Sequence, residues 1–468
     1  MFKLIYRKFG NRIQAKDDVL SGLTVALALV PEAVAFAIIA GVTPIIGLYA
    51  AFIICLITAV LGGRPGMISG ATGALAVIMV SLVILGNEKG EALGLGTDMG
   101  TQYLFATVIL MGIIQIGCGV LKLGRFVRLI PQPVMFGFVN GLAIVIFEAQ
   151  FPMFTDSPTT PGSSWLAGND MYLMLGLVVL TMGIIHFLPK LTTQLPSSLV
   201  AIVSTSCLVI GLNLDTLVVK DMASIGGELP SIVSFSIPFN WDTLQFIAPF
   251  AFILAAVGLI ESLMTLTLAA VGLIESLMTL TLIDELTETR GNSTRECLGQ
   301  GAANVITGFF GGMGGCAMIG QSIINIRSGG RGRLSGIAAG TFLLCFILFA
   351  SSLIERIPLA ALTGVMFMVV IGTFEWSSLR ILRKIPKTDA FVIILVSGIT
   401  VITHNLALAV VSGVIVSALG FAWKSAQHIH RDSEIKEDNS KVYFLHGPLF
   451  FGSITDFNQG FNPAVQSG

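Results

Sequence analysis

From Val19 to Trp423 the chain repeats one pattern, an apolar run followed by a short break carrying Gly, Pro or charge. About 20 helical residues cross the ~30 Å hydrocarbon layer of a bilayer. On that measure hydropathy predicts fourteen membrane elements, at residues 18–40, 43–62, 70–87, 101–121, 132–150, 171–188, 196–213, 246–283, 294–312, 317–327, 334–354, 358–375, 388–403 and 406–423. Two are short and interrupted by small residues: MISGATGALAVIM (Met67 to Met79) and GGMGGCAMIGQSIINIRSGG (Gly311 to Gly330). They are the third and the tenth, hence at matching places in two sets of seven. Inverted repeats bring such broken helices together near the midplane, where freed N–H groups and helix N-termini face an anion.

One stretch breaks the rhythm. AAVGLIESLMTLTL occurs twice in tandem without a substitution, as Ala255 to Leu268 and Ala269 to Leu282, so Glu261 and Glu275 are both candidate intramembrane acids. An acid at the centre of a span costs about 2.5–3.5 kcal/mol on insertion scales, which makes each a functional-site hypothesis. No charged or Pro-containing turn separates the copies, so the repeat adds length rather than a crossing. Fourteen residues advance a helix by about 21 Å, so one straight helix cannot hold both acids at the midplane.

Charge fixes the orientation. With the amino terminus in the cytoplasm, only Lys89, Lys220 and Arg356 of the 26 Lys and Arg residues fall outside. Hydrophobic residues make up 54% of the 468 and charged residues 11%, with mean hydropathy +0.88, which excludes a soluble chain. The net charge of −1 says nothing about partners, and no nucleic-acid partner is expected. MFKLIYRKFGNRIQAK (residues 1–16) reads as a cytoplasmic amphipathic lead-in rather than a cleaved signal. The six cysteines show no CxxC or metal spacing and read as small core residues. His428 and His430 lie in a charged linker, and RSGGRGR (Arg327 to Arg333) is the ordinary basic anchor at a cytoplasmic boundary. His186 and His404 lie near span ends without a paired catalytic motif, so an intramembrane enzyme is not indicated, nor is a cofactor.

Four segments carry a family resemblance: DVLSGLTVALALVPEAVAFAIIAGVTPIIGLYAAF, RLIPQPVMFGFVNGLAIVIF, IDELTETRGNSTRECLGQGAANVITGFFGG and INIRSGGRGRLSG. In these the chain resembles the sulfate permease (SulP) family of anion transporters, from Asp17 to the carboxyl terminus. The resemblance implies an all-α polytopic membrane protein of fourteen elements in a 7+7 inverted repeat. It also implies core and gate domains, with an inorganic anion of the sulfate or bicarbonate class held between the third and tenth helices. The domains expected are the lead-in at 1–16, the transporter at 17–424 and a linker at 425–440. Residues 441–468 would be the truncated start of a cytoplasmic STAS domain, with strand, Gly-Pro turn and second strand in KVYFLHGPLFFGSITDF.

By the same resemblance the anion cradle is Ser69, Gly70, Ala71, Thr72 and Gly73 with Cys316, Ala317, Met318 and Ile319, and Phe36 lines it. In sodium-coupled bicarbonate transporters of the family, an acid and a Thr four residues apart on the eighth helix help hold the cation. Glu275 and Thr279 have that spacing, which puts them on one helix face. The downstream copy runs directly into the family-like IDELTETRGN, so register from that end selects Glu275 and Thr279. Register from the upstream NWDTLQFIAPFAFILAA would select Glu261 instead.

Two departures bear on coupling. Where many members have Gln after the first-helix Pro, this chain has Glu32 after Pro31, and where many have Arg in the tenth helix it has Gln321. The site has gained an acid and lost a cation, which favours symport with sodium or protons over simple exchange. The alternatives are an exchanger or channel of the same family, or a nucleobase permease of the same fold. Family analogy adds a homodimer in the plasma (inner) membrane with both termini cytoplasmic.

Overall fold

The computed structural model describes residues 12–96, 98–124, 131–156, 163–192, 197–222, 227–275, 292–382, 384–403, 406–426, 430–435 and 441–446. Its long helices follow the hydropathy segments. In the first half they are α1 (Arg12–Ile39), α2 (Pro44–Leu61), α3 (Gly73–Ala92), α4 (Met99–Val120), α5 (Gln132–Glu148), α6 (Asn169–Leu191) and α7 (Ser197–Gly211). The second half has α8 (Trp241–Glu275), α9 (Ser293–Phe309), α10 (Ile319–Arg327), α11 (Arg333–Phe349), α12 (Leu359–Thr373), α13 (Lys387–Thr403) and α14 (Leu406–Ala426). Among the described residues, eight helices are long and apolar enough to cross a membrane. Two three-residue strands, β1 (Ser69–Ala71) and β2 (Gly315–Ala317), immediately precede α3 and α10.

Packing repeats with a shift of seven helices. α1 lies against α10 and α11 as α8 lies against α3 and α4; α2 packs on α11 as α9 packs on α4; α5 packs on α13 as α12 packs on α6. The result is two bundles, one of α1 to α4 with α8 to α11, the other of α5 to α7 with α12 to α14. They touch mainly along α1 with α12 and along α3 with α5. Small residues permit the closest approach: a Cβ added at Gly112 of α4 would lie 2.6 Å from the Gly301 carbonyl of α9, and one at Gly301 would lie 2.7 Å from that of Gly112.

The rim that carries Asp18 and Arg333 is tied by charge. Asp18 Oδ1 accepts from the Arg331 and Gly332 amides at 2.8 and 3.0 Å, just ahead of α11. The Arg333 guanidinium donates to the carbonyls of Ala59, Val60 and Gly62 at the end of α2. The Arg333 cation therefore caps a helix C-terminus, which accounts for part of the basic run in structural terms.

α8 carries the duplication as far as Glu275 in one continuous helix of 35 residues, about 52 Å long. Its register is set from the upstream end. Phe246 packs edge-on against Tyr103 with ring centroids 5.2 Å apart, Lys89 Nζ sits 4.5 Å above the Phe246 ring and donates to the Asp242 carbonyl, and Ile247, Ala251 and Leu254 are buried. Sliding the helix by one repeat would put Glu261 at the buried Ile247 position and replace Phe246 by Ile260. That combines the cost of a misplaced acid with the loss of an aromatic contact.

Described elements fall within the segments at both ends of the chain. Residues 12–16 of the predicted lead-in are the first turn of α1, and residues 1–11 lie outside the described residues. The segment read as a linker carries strand β3 (His430–Ile435), which pairs antiparallel with β4 (Lys441–His446), from His430 opposite His446 to Ile435 opposite Lys441. The Gly447-Pro448 turn and the second predicted strand lie outside the described residues.

Deleting residues 255–268 or 269–282 yields the same sequence, because the copies are identical. With the register held upstream, the shortened protein should keep its thermal unfolding midpoint in detergent and its transport. A well-expressed deletion that has lost activity would contradict this.

Candidate functional site

The site begins with two breaks in the helical backbone. Small residues SGA and GCA take extended conformation and pair antiparallel, Ser69 with Ala317, Gly70 with Cys316 and Ala71 with Gly315. Close approach requires glycine here: a Cβ at Gly315 would lie 2.1 Å from the Gly70 carbonyl. After each strand one extended residue, Thr72 (φ −130°, ψ 149°) or Met318 (φ −104°, ψ 119°), leads into its helix, and neither side chain caps the helix that follows. The starts of α3 and α10 therefore flank the ladder with free amides and the positive ends of their dipoles. Ser69 Oγ is buried beside them with no hydrogen-bond partner among the described residues.

β2 is clamped by side chains. Asn304 accepts from the Gly315 amide at 3.0 Å and donates to its carbonyl at 3.0 Å, to Gln115 Oε1 at 2.9 Å and to the Gln300 carbonyl at 3.1 Å. Gln300 Nε2 donates to the same Gly315 carbonyl at 2.9 Å. Ser262 Oγ accepts from the Ala317 amide at 3.1 Å, and Ser322 Oγ accepts from the Ile68 amide at 3.0 Å. None of Gln115, Ser262, Gln300, Asn304 and Ser322 was singled out from sequence. The available signal was Gln300 and Asn304, four apart and so on one helix face in an otherwise small-residue segment.

Two acids meet the second broken end. Glu261 of α8 accepts from the Cys316 thiol at 3.0 Å, and Cys316 Sγ is 3.3 Å from Thr72 Oγ1. Glu32 of α1 accepts from Gln321 Nε2 of α10 at 2.8 Å. The two acids hold equivalent places in the two halves. Leu29 Cδ2 lies 3.6 Å from where a Gly70 Cβ would be, Cys316 Cβ lies 3.7 Å from where a Gly258 Cβ would be, and each acid follows three residues later. Phe36 is buried, and with Ile146 of α5 it covers the start of α3: a Cβ at Gly73 would meet Phe36 Cε1 at 2.9 Å and Ile146 Cδ1 at 2.8 Å.

The predicted cradle residues Ser69 to Gly73 and Cys316 to Ile319 thus come together, with Phe36 and Glu32 beside them. Of the two acids in the duplication, the Glu261 carboxylate reaches the crossing, and Glu275 is the last described residue of α8, about 21 Å along the helix from Glu261. Thr279 lies outside the described residues.

Two broken helices that start at a shared ladder, in a bundle whose two halves repeat with a seven-helix shift, define a membrane transporter built on an inverted repeat. The sequence description of the Sulfate permease family matches residues 16–396. "Putative sulfate transporter YbaR" of Bacillus subtilis is 45% identical over 461 residues, covering 98% of this chain and 87% of that protein. "Bicarbonate transporter BicA" of Picosynechococcus is 32% identical over 414 residues, covering 86% of this chain and 69% of BicA. The solved transmembrane domain of a cyanobacterial BicA superposes with TM-score 0.68 at 28% identity, over 87% of this chain and 98% of that one. SLC26A9 superposes with TM-score 0.73 at 16% identity, over 96% of this chain and 75% of that one, a likeness of fold. The chain belongs to the sulfate permease family.

Replacing Asn304 with Leu should lower the unfolding midpoint in detergent. It strands the Gly315 amide in a low-dielectric interior, at about 1–3 kcal/mol for an unsatisfied buried group. An unchanged midpoint in Asn304→Leu would show that the clamp does not hold β2.

Proposed function

We propose that this chain is a secondary active transporter of inorganic anions of the sulfate or bicarbonate class, driven by sodium or protons. In this reading the anion binds between the starts of α3 and α10, held by amides near Gly73 and Ile319 and by the hydroxyls of Ser69 and Thr72. The relatives' names, a sulfate transporter and a bicarbonate transporter, support that substrate class. Uncapped helix starts and an unpartnered buried hydroxyl are donors without acceptors, which suits an oxyanion.

The observation that carries the coupling is the pair of carboxylates, Glu32 and Glu261, beside the cradle. Two negative charges there repel an anion through a low-dielectric medium. Binding a cation or proton at Glu261 removes that repulsion, so the anion and its driving ion bind together. Thr265 follows Glu261 by one turn and reproduces the acid-to-Thr spacing that Glu275 and Thr279 repeat. Glu32 is a second position at which a proton or cation can offset the anion's charge.

Alternating access follows from the two bundles. The α1 to α4 and α8 to α11 bundle carries the whole cradle, and the other bundle presents Ile146 to it, so rocking one against the other opens the site to either side. The protein would lie in the plasma membrane as a homodimer with both termini cytoplasmic, and β3 and β4 would begin a STAS-type domain.

The test is uptake of radiolabelled sulfate and bicarbonate by the purified protein in proteoliposomes under imposed sodium or pH gradients. Accumulation driven by an inward gradient of sodium or protons, with the two anions competing, is the expected result. Uptake indifferent to both gradients would replace symport with exchange or a channel. Competition by uracil in place of the oxyanions would indicate a nucleobase permease.

A further inference from the structure

Cys316 stands between the two ligands' positions. It is fully buried in the middle of the ladder opposite Gly70, and its Sγ is 3.0 Å from Glu261 Oε2 and 3.3 Å from Thr72 Oγ1. The sulfur therefore touches both the acid assigned to the driving ion and the hydroxyl at the start of α3, and that hydroxyl also hydrogen-bonds the Glu261 carboxylate, so thiol and acid compete for it. A thiol has one hydrogen to donate and a weak acceptor capacity, and a hydroxyl has one hydrogen and two lone pairs. The three groups can form only a few hydrogen-bond chains, and the charge on Glu261 decides which one forms.

We propose that Cys316 is a positioning residue that transmits occupancy of Glu261 to the anion cradle by reversing a two-bond hydrogen-bond chain. This rests on the assignment of Glu261 as the coupling acid. With the carboxylate bare, the thiol donates to Oε2 in a charge-assisted bond, and the Thr72 hydroxyl is drawn toward the sulfur and the acid. Its hydrogen is then turned away from the cradle. When sodium or a proton neutralises Glu261, the thiol loses its charged acceptor and donates to Thr72 Oγ1 instead. The Thr72 hydrogen is released toward the anion. Each hydrogen stays on its own atom throughout, so the device needs no proton transfer. It makes cation and anion binding mutually reinforcing across one side chain.

The experiment compares wild type, Cys316→Ala, Cys316→Ser and Glu261→Gln in proteoliposomes. Its readout is the ratio of anion KM without and with the driving ion, sodium or low external pH. That ratio is insensitive to a uniform loss of active protein. In Cys316→Ala the ratio should fall toward one, from a wild-type value in the range of about 5 to 150 typical of coupled sites. Cys316→Ser should keep most of it, because a hydroxyl preserves the donor and acceptor chain. Should Glu261→Gln abolish the ratio while Cys316→Ala leaves it intact, the relay is overturned and the coupling acid stands. If Glu261→Gln itself keeps the full ratio, the assignment of the acid has failed and the relay falls with it. Should Cys316→Ala not fold, the S–H stretching band assigned by difference against Cys316→Ser decides in its place. It should shift when sodium or acid is added to the wild type, and an invariant band would overturn the proposal.

Discussion

A helix broken in hydrocarbon exposes amides and carbonyls that water cannot reach, and each left unpaired costs several kcal/mol. This chain breaks two. The crossing of β1 and β2 satisfies much of that demand, and the rest of the fold is arranged to make it possible. Gly315 lets the backbones touch, Asn304, Gln300 and Ser262 fix β2, and Ser322 holds the Ile68 amide just ahead of β1. α1 lies against β1 and α10, and α8 lies against β2 and α3. The amides left free at the helix starts are then the binding capacity of the site rather than a defect.

The arrangement is symmetric in backbone and asymmetric in side chains. Glu32 and Glu261 occupy equivalent places, yet one is held by the amide of Gln321 and the other by the thiol of Cys316. β2 is pinned by several side-chain hydrogen bonds, whereas Ser69 in β1 has a buried hydroxyl with no partner among the described residues. A rigid strand facing a less constrained one suits a site that must hold an anion in one arrangement and release it in another. Phe36 and Ile146, one from each bundle, meet over Gly73.

Much of this was legible in the sequence because hydropathy and glycine placement act locally. The apolar segments and the two small-residue interruptions are read without tertiary information, and the helices lie where the pattern puts them. The clamp was not legible, since a buried Asn or Gln in a span looks the same whether it pairs with a neighbouring helix or with a strand eleven residues on, as Asn304 does with Gly315. β3 was hidden in a charged stretch that reads as linker, because a strand of six polar and mixed residues shows itself only through its partner.

The choice between Glu261 and Glu275 had no local answer at all, because the two copies are identical over fourteen residues. What separates them is distant: Phe246 against Tyr103, Lys89 over Phe246, and the cost of putting an acid where Ile247 is buried. The central claim is that one acid, held at the ladder, couples the driving ion to the anion. It is tested most directly by gradient-driven uptake in Glu261→Gln beside Glu275→Gln. Loss of the sodium or pH dependence in the first and its retention in the second is the predicted result, and the reverse pattern would contradict it.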